Sequence, residues 1–252
     1  MDQRRPFDLA TAAFSNGSDL LGARATSHGL FRRALRRGLH FLSYHWVLAR
    51  RWTQHTEAAG FRLTVRPTVF HPRYFLSSEC FARFLDRLDL RGQRVAEIGT
   101  GSGILALAAA RAGAASVLAA DINPNAALCA AENARANGFA DRVATLCCDL
   151  LSAVKAEPRF DVILSSPPKH AGDARDLADA GWHAGPNYRG IAALFEQCRE
   201  RLKPDGRLYL MVSSDSDLGL FGRLIERAGF RARVAHEQSI FIESFILYEL
   251  RP

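Results

Sequence analysis

Apolar and polar positions change in blocks along this chain, and the blocks predict strands and helices in turn. Arg94-Val95-Ala96 reads as a short buried strand, and the apolar run over 104–110 predicts a helix packed on a sheet. A second strand is predicted over 116–120, ending at Asp121. Asn123 is a good N-cap and Pro124 suits the first helical position, so a helix starts there and runs to Asn137-Gly138. Further strands are predicted over 143–147, 160–164 and 207–212. A helix over 218–228 stops at Gly229, and strands over 230–234 and 241–248 close the chain. This is the pattern of an α/β sheet with helices on both faces.

The N-terminal quarter differs. Residues 1–28 show no sustained periodicity and are expected to be loosely ordered. From Gly29 to Trp52, Phe31, Leu35, Leu39, Leu42, Trp46 and Ala49 recur at steps of three and four, predicting an amphipathic helix bent at Gly38. Arg32, Arg33, Arg36 and Arg37 lie largely off that stripe. Residues 61–65 alternate like a strand that Pro67 limits. The loop over 69–75 is crowded with aromatics, and Ser77 or Ser78 caps a helix bearing Phe81, Phe84, Leu85 and Leu88. The chain thus divides into a basic extension over 1–66, expected to hold a helix and a hairpin, and an α/β domain over 67–252.

Composition changes this picture in one respect. At 252 residues, with 48% hydrophobic and 23% charged positions, the chain has room for one α/β domain and an appendage. The net charge of +7 is confined to residues 1–66, which hold eleven Arg, no Lys and four acids, whereas the rest is neutral. Any footprint for RNA, protein or a membrane surface therefore belongs to the 29–52 helix, whose other expected role is docking on the domain. The five cysteines contain no C-x-x-C, so neither a metal site nor a disulfide framework is expected. A cytoplasmic setting follows as the default.

The chemistry concentrates in Glu97-Ile98-Gly99-Thr100-Gly101-Ser102-Gly103, between the first strand and its helix. Glycines two apart permit positive φ and let a ligand approach the main chain. A dinucleotide fingerprint wants Gly or Ala three places after Gly101, and Ile104 stands there. Asp121 lies eighteen residues beyond Gly103, where an acid can accept hydrogen bonds from ribose hydroxyls.

This ordered set resembles motif I and its successors in class I S-adenosylmethionine (SAM) methyltransferases, over roughly residues 94–215. The resemblance implies a Rossmann-like, seven-stranded, mostly parallel sheet closed by an antiparallel pair. It implies SAM as cofactor, held by Glu97, Gly99, Thr100, Gly101, Gly103, Asp121, Ile122, Asp149 and Ser165. Asp121 would meet the ribose and Asp149 the adenine amino group. Glu97 would stand near the methionine amino group or order the glycine loop. Ser166-Pro167-Pro168-Lys169 occupies the place of the N/D/S-P-P-Y/F/W motif of amino-methylating enzymes. There Ser166 and the Pro167 carbonyl would orient the acceptor, but Lys169 replaces the stacking aromatic. His183, with Ser166 and Pro167, is a catalytic candidate. Pro168, Lys169, His170, Trp182, Tyr188 and Tyr74 are acceptor-binding candidates. Residues 69–75 and the helix after them are similar to the segment that glutamine-N5 methyltransferases place over the cofactor. The expected reaction is methyl transfer from SAM, leaning to a small aromatic or acyl acceptor because the domain is neutral. The alternatives are N-methylation of a protein or RNA, and a SAM-binding scaffold without catalysis.

Overall fold

The computed structural model describes residues 13–24, 52–74, 76–239 and 244–252. The amphipathic stripe over 29–51 lies outside the described residues, as do Phe75 and residues 241–243 of the last predicted strand. An eight-stranded sheet forms the body, in the order β1-β9-β10-β8-β7-β4-β5-β6. Its central strands are β4 (Arg94–Ile98), β5 (Ser116–Asp121), β6 (Val143–Cys147), β7 (Phe160–Ser165) and β8 (Leu202–Ser213), all parallel to their neighbours in this group. β10 (Ser244–Arg251) runs antiparallel to both β8 and β9 (Arg231–Ser239). These seven strands are the expected ones; the eighth, β1, is Ser15–Asn16 paired to Ala232 and Arg231.

Strand pleating sorts the apolar side chains onto two faces. Val95, Val162, Leu164, Tyr209 and Leu247 join one core, against helices α2 (Leu76–Leu85), α3 (Ile104–Arg111) and α4 (Pro124–Ala136). Ala96, Ile163, Leu208, Leu210 and Ile246 join the other, against α1 (Gly17–Gly22), α5 (Arg189–Arg201) and α6 (Leu218–Arg227). Every residue of α3 from Ile104 to Ala110 is buried, as befits a helix apolar on all sides. Ser77 and Ser78 fall inside the first turn of α2, which begins at Leu76, so neither is its cap. No helix among the described residues is long and apolar enough to cross a membrane.

Residues 13–24 fall in the stretch expected to be loosely ordered, and here they close one edge of the molecule. Leu21 is fully buried in the same core as Phe221, Ile225 and Tyr248. The Phe14 ring lies 4.9 Å from the guanidinium of Arg233 and 5.0 Å from that of Arg251. Both arginines bond the buried Glu249, which holds them in place. Hydrophobic periodicity is blind to this arrangement, because α1 is a single short helix seated by one leucine, and the cations grip Phe14 ahead of it.

The hairpin expected in the N-terminal extension is β2 (Gln54–Ala58) paired with β3 (Phe61–Val65) outside the main sheet; the sequence pattern places neither β2 nor α5, and the polar alternation of β2 carries no apolar signal. α5 does carry one, since Ile191, Leu194, Phe195 and Cys198 form a buried stripe at helical spacing.

α1 crosses α6 closely enough that a Cβ on Gly222 would lie 2.5 Å from the Gly17 carbonyl oxygen. Gly222→Ala is expected to destabilise the fold by about 1–3 kcal/mol through overpacking. Urea unfolding with an unchanged midpoint would show that α1 yields at this crossing.

Candidate active site

The sheet order reverses between β4 and β7, and in open α/β sheets the carboxyl ends of the strands at such a point bind ligands. Three expected groups meet there: the glycine turn after β4, Asp121 at the end of β5, and the Ser166–Lys169 turn after β7. Gly99, Gly101 and Gly103 adopt φ of +78°, +53° and +80°. Their roles differ. A Cβ on Gly103 would lie 2.9 Å from Ala130, so this glycine lets α3 and α4 approach. Above Gly99 and Gly101 the space is open within 4 Å, leaving bare main chain facing the crevice.

Two carboxylates shape the turn from behind. Glu97 is buried, and its Oε2 accepts from Thr100 Oγ1 at 2.6 Å and from Ala106 N at 3.0 Å. Burial pushes its pKa up to about 8. With both donors on Oε2, Oε1 is the oxygen that can carry the proton. Glu97 therefore orders the loop, one of the two roles expected of it. Asp121 accepts from Gly101 N and from Asn123 N, each at 2.9 Å, and burial raises its pKa above the usual carboxylate value. Gly99 N and Thr100 N both donate to the Ala120 carbonyl, which completes the turn.

Side chains that would meet an adenosine surround this cradle. Ile122 is half exposed just past Asp121, and Asp149 is exposed beyond β6. Ser165 is buried, donating its hydroxyl to the Ile98 carbonyl at 3.2 Å, and so ties β7 to β4 beneath the crevice. Open main chain over Gly99 and Gly101, a carboxylate with lone pairs to spare and an exposed apolar face beside it fit an adenosyl sulfonium.

Asn133 secures the cradle to the hairpin. Fully buried on α4, it donates to the carbonyls of Ser102 at 2.8 Å and Thr64 at 2.9 Å, and accepts from Thr64 N at 2.7 Å. One turn later Asn137 accepts from Arg62 N and donates to the Arg62 carbonyl. Two amides four residues apart thus pair with alternate residues of β3 as a neighbouring strand would. Asn123 adds a bond to the Thr68 carbonyl at 3.1 Å, which places the aromatic loop beside the head of α4.

Apart from Tyr74, the acceptor candidates lie along one segment, residues 166–188, here called the lid. Ser166 is exposed, whereas Pro167, Pro168, Lys169 and His170 are partly covered. His170 and His183 are bridged, and Gly172 pairs with Gly185, so the lid folds back on itself. Trp182 is the lid's core rather than an open stacking surface: it is 8% exposed, with His170 stacked at 6.1 Å and Phe70 at 5.7 Å. Lys169 Nζ lies 5.8 Å from the same ring, and Tyr188 donates its hydroxyl to the Lys169 carbonyl at 3.3 Å. Phe70 carries the contact between the aromatic loop and the lid. Tyr74, read as a site residue, is exposed and stacks on the buried His71 at 4.4 Å.

Asp179 and Arg175 were missed. Asp179 is 1% exposed, and its bond to the Arg175 guanidinium holds its carboxyl down to about 2. The one signal was spacing, since Arg175, Asp179 and His183 stand four apart. Among the described residues no cluster of metal-ligating side chains forms.

Two predictions follow from the cradle. Asp121→Ala removes the expected ribose acceptor and a prop of the glycine turn, so SAM binding should weaken by about 1–3 kcal/mol in calorimetry; equal affinity would reject that role. Glu97 holds its proton in the folded state up to about pH 8 but loses it near 4.5 when unfolded. The folded state therefore binds more protons between these values, and stability falls as pH rises through that window. Glu97→Gln should remove this slope, and melting curves with the same pH dependence in both proteins would contradict the assignment.

The model of the ribosomal protein L11 methyltransferase (PrmA) family matches residues 78–166. A ribosomal protein L11 methyltransferase from Methylococcus capsulatus is 30% identical over 258 aligned residues, covering 92% of this chain and 78% of the relative. One of the same description from Actinobacillus succinogenes is 43% identical over 103 residues, 40% of this chain and 34% of the relative. A solved ribosomal protein L11 methylase from Lactobacillus delbrueckii subsp. bulgaricus has a TM-score of 0.51 at 24% identity, over 70% of this chain and 79% of that one. A T. thermophilus 16S rRNA methyltransferase in complex with AdoMet and guanosine has a TM-score of 0.57 at 22% identity, over 80% of this chain and 50% of that one. Both structures share the fold of this chain. Kinship along most of its length, joined to a glycine turn shaped for an adenosyl sulfonium, makes this chain a class I SAM-dependent methyltransferase belonging to the ribosomal protein L11 methyltransferase family.

Proposed function

We propose that this enzyme methylates a nitrogen of a protein acceptor, with ribosomal protein L11 as the first substrate to test. The observation that carries this reading is the M. capsulatus relative, aligned over nearly the whole chain and described as a ribosomal protein L11 methyltransferase. It favours the protein alternative over the small-molecule acceptor suggested by the neutral domain. The neutral charge of residues 67–252 is compatible with a basic acceptor protein, which a cationic cleft would repel.

Bound SAM supplies an electrophilic methyl on a positively charged sulfur. The chain's own residues supply position. Gly99, Gly101, Asp121 and Ile122 hold the adenosyl part, and Asp149 lies within the same edge. Ser166 and the Pro167 carbonyl, on a turn stiffened by two prolines, accept hydrogen bonds from the acceptor nitrogen and aim its lone pair. Alignment of this kind is worth about 7–11 kcal/mol of the barrier. The lid, built on Trp182 and packed against Phe70, limits water at the reacting centre.

Purified protein, tritiated SAM and ribosomal protein L11 from the same cell should give labelled L11, with the label mapped by mass spectrometry to a nitrogen. Ser166→Ala should lower kcat by about tenfold or more while SAM affinity holds. Unlabelled L11 in this assay, with a labelled metabolite when a cell extract takes the place of L11, would return the small-molecule reading to first place.

A further inference from the structure

The amino ends of the parallel strands, at the sheet edge away from the crevice, border a cavity of about 400 Å³. The first residues of four strands line it: Arg94 of β4, Ser116 of β5, Val143 of β6 and Phe160 of β7. Arg142 and Arg159, each one residue ahead of its strand, join them. The five residues of β4 lie between this cavity and the glycine turn, a span of about 17 Å at the usual rise of a strand.

Three arginines line the cavity with one acid, Asp141, whose largely exposed carboxylate lies 3.7 Å from Arg142 Nε. The protein itself uses few of their donors. Arg142 Nη1 donates to the Ala110 carbonyl at 3.0 Å, and Arg159 Nη2 donates to Glu157. Arg159 Nε is buried and finds no partner among the described residues, so part of its bonding capacity is unmet. The exposed Arg94 side chain makes no hydrogen bond or ion pair among the described residues. Acids nearby are matched by other cations: Asp161 pairs with Lys203, and Glu157 with Lys155 as well as Arg159. Backbone amides at this edge are already spent. Arg94 N donates to Asp161, Val117 N to the Arg142 carbonyl and Arg159 N to the Arg201 carbonyl. Recognition at this edge therefore falls to side chains.

Those side chains select a ligand class. A guanidinium presents five donors in a planar fork that fits phosphate oxygens, and three cations at one cavity favour an anion between them. Apolar residues, Val117 and Phe160 among them, make up most of the remaining lining. Small-molecule sites combine apolar walls with a few polar groups in this way, and the volume lies within their usual range. We infer that the cavity is a second ligand site, separate from the SAM cradle, for a small phosphate monoester with an apolar body. Arg94, Arg142 and Arg159 bind the phosphate, and the apolar lining takes the body. The site needs no methyl acceptor, so it stands apart from the choice of substrate.

Phenyl phosphate is the probe, titrated into the nitrogen-15-labelled full chain and followed by NMR. The amides of Ser116, Val117, Val143 and Phe160 should shift to saturation with a millimolar or tighter Kd, while those of Gly99 and Gly101 stay in place. Inorganic phosphate should bind more weakly than the ester, and phenol should leave the same amides unmoved. Arg94→Gln and Arg159→Gln should each raise Kd about tenfold, as expected for loss of a charge-assisted hydrogen bond. Arg94 is exposed, so its variant keeps the fold whatever Arg159→Gln does to stability. Saturating SAM should change Kd less than about twofold. Shifts that never saturate, or an unchanged Kd in Arg94→Gln, overturn the site. Displacement by SAM puts the probe in the cradle and overturns it too. Equal binding of phenol or of inorganic phosphate overturns the monoester assignment.

Discussion

A turn of three glycines has no side chains of its own to keep it in shape, so the site depends on the carboxylates behind it. Asp121 bonds the amide of Gly101, and Glu97 bonds the hydroxyl of Thr100 and the amide of Ala106. Together they fix both ends of a backbone whose φ angles are positive at every glycine. Without them the open main chain would collapse toward ordinary conformations, and its amides would seek partners within the loop. The cost is burial of two acids, met by hydrogen bonds for Asp121 and by a retained proton for Glu97.

A second constraint ties this cradle to the rest of the molecule. Asn133 contacts the glycine loop at Ser102 and the hairpin at Thr64 with one amide group. Asn137 repeats the grip at Arg62. The hairpin has no place in the main sheet, and these amides satisfy the edge that a strand would otherwise seek. Through Thr68 and Asn123 the same anchoring carries the aromatic loop to the crevice, where Phe70 meets Trp182 and the lid begins. A Cβ on Gly181 would lie 2.1 Å from the Phe70 ring, so the loop and lid fit at a position only glycine allows. Cofactor cradle, hairpin and lid thereby form one continuous set of contacts.

Kinship and geometry bear on different parts of the chemistry. The shared sheet and the family alignment account for SAM use, while the lid is where this chain departs from the aromatic-bearing form of the motif. Lys169 stands where a stacking ring was expected, and the aromatic surface nearby is already covered by its neighbours. This turn therefore offers hydrogen-bond acceptors and charge where the motif's other form offers an open aromatic face.

Much of this was local and therefore legible in the residues themselves. Strands β4 to β7, the helices after the glycine turn and after Asn123, and the order of Glu97, the glycines and Asp121 follow from apolar periodicity and from residues with one conformational use. The acceptor side was legible only as a set of names. That Trp182 is buried, that Phe70 and not Tyr74 meets the lid, and that Asp179 faces His183 are settled by packing between segments distant in the chain. So is the docking of residues 13–24, where one leucine, one phenylalanine and two arginines replace any periodic pattern. Periodicity records which face of an element is apolar; which partner covers that face is a matter of three-dimensional closeness, which no spacing along the chain encodes.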